Sequence, residues 1–150
     1  MAYIEIESGP YLVKPTEEAF DNGERPVNVD QSNIVWLEAT TMELITSNEK
    51  AANSAKVAFL WGQPQELYGT LVRLPAGFKG AIHSDGPSFR AVVVKGHAQY
   101  HVNEGDSKAL EVGSSFSSQG TSTYNISNQN EEESMIYIRA KGTYKITAEN

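Results

Sequence analysis

The feature that most constrains this chain is a succession of short β-type segments between residues 34 and 147. Apolar and β-branched runs alternate with turn signals rich in Gly, Pro, Asn and Asp, at intervals of about 8 to 12 residues. Helical periodicity is almost absent, so the pattern predicts an all-β sandwich or barrel. The predicted strands cover residues 34–40, 57–61, 67–74, 78–82, 89–95, 97–102, 109–111, 114–118, 123–127, 135–139 and 144–147.

Composition along the chain predicts an arm followed by one domain. Residues 1–33 are interrupted by Pro and Gly, and we interpret them as an N-terminal arm with an edge strand at residues 3–7 and one helical turn within 14–20. Residues 34–150 are predicted to form a single domain, and a chain of 150 residues is long enough for one sizeable core. The polar stretch 42–56 is predicted to be a surface loop.

The charge balance excludes several classes of partner. The net charge is −7, with 12 basic residues against 19 acidic ones, and the only charge cluster is acidic, at 131–133. Nucleic acid binding normally requires a basic patch, so no nucleic acid partner is predicted. No apolar run approaches the roughly 20 residues of a membrane helix, and residues 1–10 have no secretory pattern, so we predict a cytoplasmic protein. With 0 cysteines the chain has no thiolate metal site.

Residues 74–96 bring the chemically active side chains closest together. Two extended runs meet there at a polar corner, with His83 and Asp85 between them. In extended backbone, residues two apart point to the same face, so this imidazole and this carboxylate are expected on one face. Such a pair can form a metal site, an acid/base pair or an internal polar pair, and the residues alone leave these three open.

This stretch resembles the first signature of the cupin superfamily. That signature has Gly, five residues, His-x-His, a few residues, Glu, and about six residues to a final Gly. The matching positions here are Gly77, His83, Asp85, Arg90 and Gly96. The resemblance implies a double-stranded β-helix, the cupin jelly-roll barrel, with an N-terminal arm.

Two further matches refine the resemblance. The Trp61-Gly62 and Phe89-Arg90 pairs are similar to the ChrR-like cupins, in which an Arg commonly stands at the Glu position. The second cupin signature, Gly, five residues, Pro-x-Gly, two residues and His, has its counterpart from Gly113 to Tyr124. There Tyr124 takes the place of the metal-binding His, so the resemblance implies a degenerate metal site.

Carried over by position, the cupin site consists of His83, Asp85, Arg90 and Tyr124, which the resemblance places together inside the barrel. Trp61, Phe89 and Phe116 are expected to supply aromatic walls. Arginine cannot ligate a metal, because its guanidinium stays protonated. It suits an anion instead.

Three interpretations of this site remain open. In the first, the barrel binds a small, anionic organic molecule through Arg90, His83 and Tyr124, and no cofactor is required. In the second, the chain is a metal-dependent dioxygenase or isomerase in which His83 and Asp85 hold a divalent metal such as Zn, Fe, Mn or Ni. In the third, the cluster is an internal polar network without a ligand. Whether the chain is an enzyme is left undecided.

Self-association is expected as well. Cupins commonly pair by lending an N-terminal strand to a neighbour's sheet, and residues 3–7 suit this mode of pairing. The sequence therefore predicts a homodimer.

Overall fold

The fold is built almost entirely of short strands. In the computed structural model, the described residues are 15–18, 29–38, 55–63, 66–103 and 105–149. They form two 3-10 turns, Thr16–Glu18 and Gln31–Asn33, and eleven strands. The strands are β1 (Leu37–Glu38), β2 (Lys56–Gly62), β3 (Leu67–Leu74), β4 (Lys79–Ser84), β5 (Ser88–Lys95), β6 (Ala98–Asn103), β7 (Asp106–Leu110), β8 (Ser115–Ser118), β9 (Ser122–Ser127), β10 (Ser134–Lys141) and β11 (Tyr144–Ala148).

The strands predicted from the turn signals are confirmed, with boundaries that move by at most three residues. β1 is shorter within the described residues than the predicted segment 34–40. The predicted edge strand at 3–7 and most of the predicted loop at 42–56 lie outside the described residues. The predicted helical turn is present as the 3-10 turn Thr16–Glu18. No helix among the described residues is long and apolar enough to span a membrane.

The strands assemble into two antiparallel sheets. The first has the order β1-β2-β3-β10-β5-β8, and the second has the order β11-β4-β9-β6-β7. Neighbours such as β3 and β10 are far apart in sequence, which is typical of a jelly roll rather than a meander.

Alternation along each strand decides which side chains fill the interior. On β5, Phe89, Ala91 and Val93 are fully buried, and the residues between them are half-buried or exposed. The same period of two places Ile136 and Ile138 of β10 in the core. This inner face joins the buried side chains of both sheets into one core.

Polar anchors hold the loops at one end of the barrel. The buried Asn128 donates through Nδ2 to the carbonyls of Leu74 (3.1 Å) and Pro75 (3.0 Å), and its N–H bonds the Phe78 carbonyl (2.7 Å). Gly96, the last glycine of the first signature, has φ of 71° in the turn from β5 to β6. A side chain at that φ would be strained, which explains the need for glycine there.

A bulge in β2 changes the face of the sheet on which the Trp61 side chain lies. Phe59 pairs with Thr70 and Trp61 pairs with Gly69, so β2 carries one extra residue at this point. Without the bulge the two aromatic side chains would share the inner face. With it, the indole lies on the outer face over Gly69 and donates from Nε1 to the Tyr137 hydroxyl (3.0 Å). The prediction that Trp61 walls the barrel interior is therefore wrong.

Candidate functional site at the aromatic end of the barrel

His83 lies on the outer face of the five-stranded sheet. Its neighbours on β4, Ile82 and Ser84, point inward and are 0% and 1% exposed. The two ring nitrogens of His83 bond the hydroxyls of Thr123 (3.0 Å, Nδ1) and Thr147 (3.3 Å, Nε2). In a neutral imidazole one nitrogen donates and the other accepts, so both are engaged by surface threonines.

Asp85 follows β4 and is exposed. Its backbone N–H bonds the Thr143 carbonyl (3.1 Å). Like His83, Asp85 lies outside the core, so neither side chain reaches the barrel interior.

Arg90 is exposed on the outer face of the other sheet. It pairs across strands with Arg139 of β10 and Ser117 of β8, and Phe89 before it is buried. An Asp85–Arg90 ion pair is absent from the described residues, where the ion pairs join Arg73 and Lys95 to Glu133 and Lys79 to Glu149.

The predicted convergence of four side chains inside the barrel is thus wrong. Tyr124 alone among His83, Asp85, Arg90 and Tyr124 points inward. The reason is the strand period of two, because a shift of one residue moves every side chain to the opposite face. Phe89, and not Arg90, is separated from Gly96 by six residues, which is the spacing between the Glu and the final Gly of the signature, so the ring takes the inward Glu position. The opposite phase would bury unpaired charges, which is costly.

Aromatic rings occupy the interior instead. Phe89 stacks on Tyr124 with ring centroids 5.4 Å apart, and Phe116 lies 4.7 Å from Tyr124. Tyr100 adds a further ring at 6.1 Å from Tyr124. Phe116 and Tyr100 are only partly buried, so this cluster reaches the barrel surface at β6 and β8. We call Phe89, Tyr100, Phe116 and Tyr124 the aromatic end.

The rings continue across the barrel as a closed structural core. Phe89 meets Tyr144 edge-on at 5.9 Å, and Tyr144 stacks on Tyr68 at 6.3 Å. The Tyr144 hydroxyl shares a 2.7 Å hydrogen bond with Thr70, and the Tyr68 hydroxyl donates to the Gly142 carbonyl at 2.7 Å. Burial raises the pKa of Tyr144 above its ordinary value and raises the pKa of Tyr68 to about 12. Both phenols are therefore neutral packing groups.

The aromatic end differs from that core in its unpaired hydroxyls. Ser118 pairs with Phe89 across strands, and its Oγ is shielded from solvent without a hydrogen-bond partner among the described residues. The hydroxyls of Tyr100 and Tyr124 form no hydrogen bond within the described ranges either, but they are not shielded from solvent as Ser118 Oγ is. A buried hydroxyl such as that of Ser118 normally finds a partner. Small-molecule sites are usually lined by apolar and aromatic side chains with a few polar groups among them.

The residues of the interior do not fit a transition metal. All 3 histidines of the chain lie within the described residues, and none points inward. His83 and His101 sit on the outer sheet face, where His101 Nε2 bonds the Ser127 hydroxyl (2.8 Å), and His97 is exposed between β5 and β6. No group of three or more His, Asp or Glu in the described part of the chain is placed to hold a metal ion.

The described fold matches solved structures of cupins. A protein of unknown function with a cupin-like fold from Ralstonia eutropha superposes with a TM-score of 0.59 at 15% identity, covering 81% of this chain and 75% of that one. An RmlC-like cupin from the same organism gives 0.55 at 16% identity, covering 75% and 66%. A DMSP lyase from Ruegeria pomeroyi gives 0.53 at 14% identity, covering 74% and 57%. At these identities the likeness shows the fold alone, and the predicted cupin fold is confirmed.

The family follows from a sequence comparison. A family model described as a domain of unknown function, DUF4437, matches residues 1–147, so the chain belongs to that family. A search of curated proteins found no match. The matched region spans about two thirds of the first cupin neighbour's length, at 66%. The activities of these structurally similar proteins are therefore not assigned to this chain.

Sequence reasoning found part of this site. It placed Tyr124 inside the barrel and named Phe89 and Phe116 as wall residues. It missed Ser118 and Tyr100. The signal that could have found them is the phase of alternation, because Phe116 and Ser118 are spaced by two, as are Ala98 and Tyr100.

Proposed function

We propose that this chain binds a small, largely apolar molecule with a hydrogen-bonding group at the aromatic end of its barrel, without a metal ion. The observation that carries the proposal is the Ser118 hydroxyl, which is buried without a partner beside Phe89. A ligand hydroxyl or carbonyl would satisfy it, and the rings of Phe116 and Tyr124 would contact the apolar part. The anionic class expected from the sequence is not retained for the barrel, because Arg90 lies outside it.

The metal-dependent alternative is not carried forward. His83 and Asp85 point away from the barrel, and the inward positions nearest to them are Ile82 and Ser84, which offer no strong ligand. Elemental analysis of protein purified without chelator should give well under one equivalent of zinc, iron, nickel or manganese. A full equivalent that is lost on His83→Ala would contradict this part of the proposal.

A titration with phenol tests the barrel site. Phenol combines a ring with a hydroxyl, and we expect its addition to shift NMR signals of Phe116 and Tyr124 in a saturable way. Ser118→Ala should weaken binding about fivefold, which corresponds to one lost hydrogen bond. Ser115→Ala is the matched control, since Ser115 is exposed on the same strand.

Two results would count against the barrel site. One is equal phenol affinity in Ser118→Ala and Ser115→Ala. The other is a set of shifts confined to the outer sheet faces. Cyclohexanol, which has a hydroxyl but no aromatic ring, measures how much of the affinity comes from ring stacking.

The ChrR-like subgroup and the homodimer stay predictions from the sequence. A sedimentation mass of one chain at micromolar concentration would contradict the homodimer.

A further inference from the structure

We infer that the outer face of the six-stranded sheet carries a binding site for a phosphate-type oxyanion, formed by Arg90 and Lys141 with the hydroxyls of Ser88 and Ser117. This site is separate from the aromatic end, and it stands independently of the function proposed there.

The strand register brings these residues to one corner. Arg90 of β5 lies directly opposite Arg139 of β10, and Ser88 lies opposite Lys141. On the other side of Arg90, the opposing residue is Ser117 of β8. Residues directly opposite have Cβ atoms about 5 Å apart, and alternate residues on one strand are about 6.8 Å apart. The side chains of Arg90 and Lys141 are therefore close enough to bind one phosphate group together.

The charges of Arg90 and Lys141 are not balanced by ion pairs within the described chain. Arg73 and Lys95 on the same sheet bind Glu133, at 3.2 Å and 3.5 Å. Arg90 and Lys141 have no hydrogen bond or ion pair with their side chains in the described ranges. Arg139 makes another interaction within the chain, so the inference rests on Arg90 and Lys141.

Two acidic residues beside this corner do not change this balance. Asp85 belongs to the turn that contacts Thr143, and Glu66 precedes β3, whose Leu67 pairs with Lys141. Both are exposed, and neither forms an ion pair with Arg90 or Lys141.

A bound oxyanion would compensate an unfavourable feature of this corner. The chain as a whole has a net charge of −7, so a local excess of positive charge is unusual for it. Guanidinium binds phosphate and carboxylate oxygens through two parallel N–H donors, and lysine adds a point charge. Arg90, Lys141 and Ser117 are all exposed, so an anion can reach them.

Calorimetric titration with inorganic pyrophosphate at constant ionic strength tests the site. The double variant Arg90→Gln/Lys141→Gln should bind at least about tenfold more weakly than the wild type, because it loses both accessible cations. Lys108→Gln/Lys145→Gln is the matched control, since it removes the same charge from exposed lysines of the other sheet, and its affinity should stay within about twofold of wild type. Thermal unfolding of both variants confirms that they fold.

Vesicles of phosphatidylcholine with and without phosphatidic acid distinguish a lipid headgroup from a free anion. Binding to pyrophosphate, or to phosphatidic acid vesicles alone, supports the site when the Arg90→Gln/Lys141→Gln variant abolishes it and the control variant does not. Equal binding by both variants, or binding of neither probe by the wild type, overturns it.

Discussion

The inside of the barrel and the outer face of the six-stranded sheet are made from the same strands and have opposite chemistry. Phe89 and Arg90 are consecutive on β5, yet one is fully buried in an aromatic cluster and the other is exposed beside a second arginine. The difference teaches that the alternation along a strand decides which side chains point into the barrel. The order of residues in a motif does not decide it. Among the described residues, the interior holds rings and hydroxyls, and the outer faces hold the imidazoles and the guanidinium groups.

The largest expected difference in stability comes from replacing Phe89 and Arg90 by alanine, one at a time. Phe89→Ala removes a ring that contacts Phe116, Tyr124 and Tyr144, and it should lower the free energy of unfolding by about 3–5 kcal/mol. Arg90→Ala removes an exposed side chain and should change it by less than about 0.5 kcal/mol. Urea unfolding measures both values. Equal losses would place Phe89 and Arg90 on the wrong faces.

A pH series tests the closed core around Tyr68 and Tyr144. In the unfolded chain tyrosine ionises near pH 10, whereas burial raises the pKa of Tyr68 to about 12 and raises that of Tyr144 further. Above pH 10 the unfolded state binds fewer protons than the folded state, so the free energy of unfolding should fall as pH rises. The slope is at most ~1.4 kcal/mol per pH unit for each tyrosine.

Thermal or urea unfolding between pH 9 and about 12 measures that slope. The variants Tyr68→Phe and Tyr144→Phe should each flatten it, because each removes one ionising group. A stability that does not fall above pH 10 in the wild type would show that these phenols are not buried as neutral groups.

The smallest effect tests the outer face. Gly69 lies under the indole of Trp61, and an added Cβ would overlap its Nε1. Gly69→Ala should therefore displace the indole, break its 3.0 Å hydrogen bond to Tyr137 and cost about 1 kcal/mol. Trp61 fluorescence should shift to the red. Gly69→Ala in a Trp61→Phe background is the control, and an identical cost there would show that the indole does not lie on Gly69.

Much of the fold could be predicted from the sequence, because turn residues and β-type runs report on local backbone. The strands and the all-β class were available in this way, and the resemblance of residues 77–96 to the first cupin signature implied the jelly roll. The site was harder to predict. A motif can still be matched when its alignment is shifted by one residue, as with Arg90 in place of Phe89, but such a shift moves the matched side chain to the opposite face of the strand. Trp61 shows the limit most clearly. Its direction depends on a bulge at Leu60, which no turn signal in β2 announces.

Cysteine accessibility at two adjacent positions tests the central claim most directly. The chain has 0 cysteines, so His83→Cys and Ser84→Cys each introduce a single thiol. We predict that the thiol at 83 reacts with a maleimide like a surface cysteine, and that the thiol at 84 reacts at least about a hundredfold more slowly, because it requires local opening of the barrel. Faster reaction at 84 than at 83 would show that residue 84 points outward and residue 83 inward. That result would contradict the assignment of His83 to the outside of the barrel.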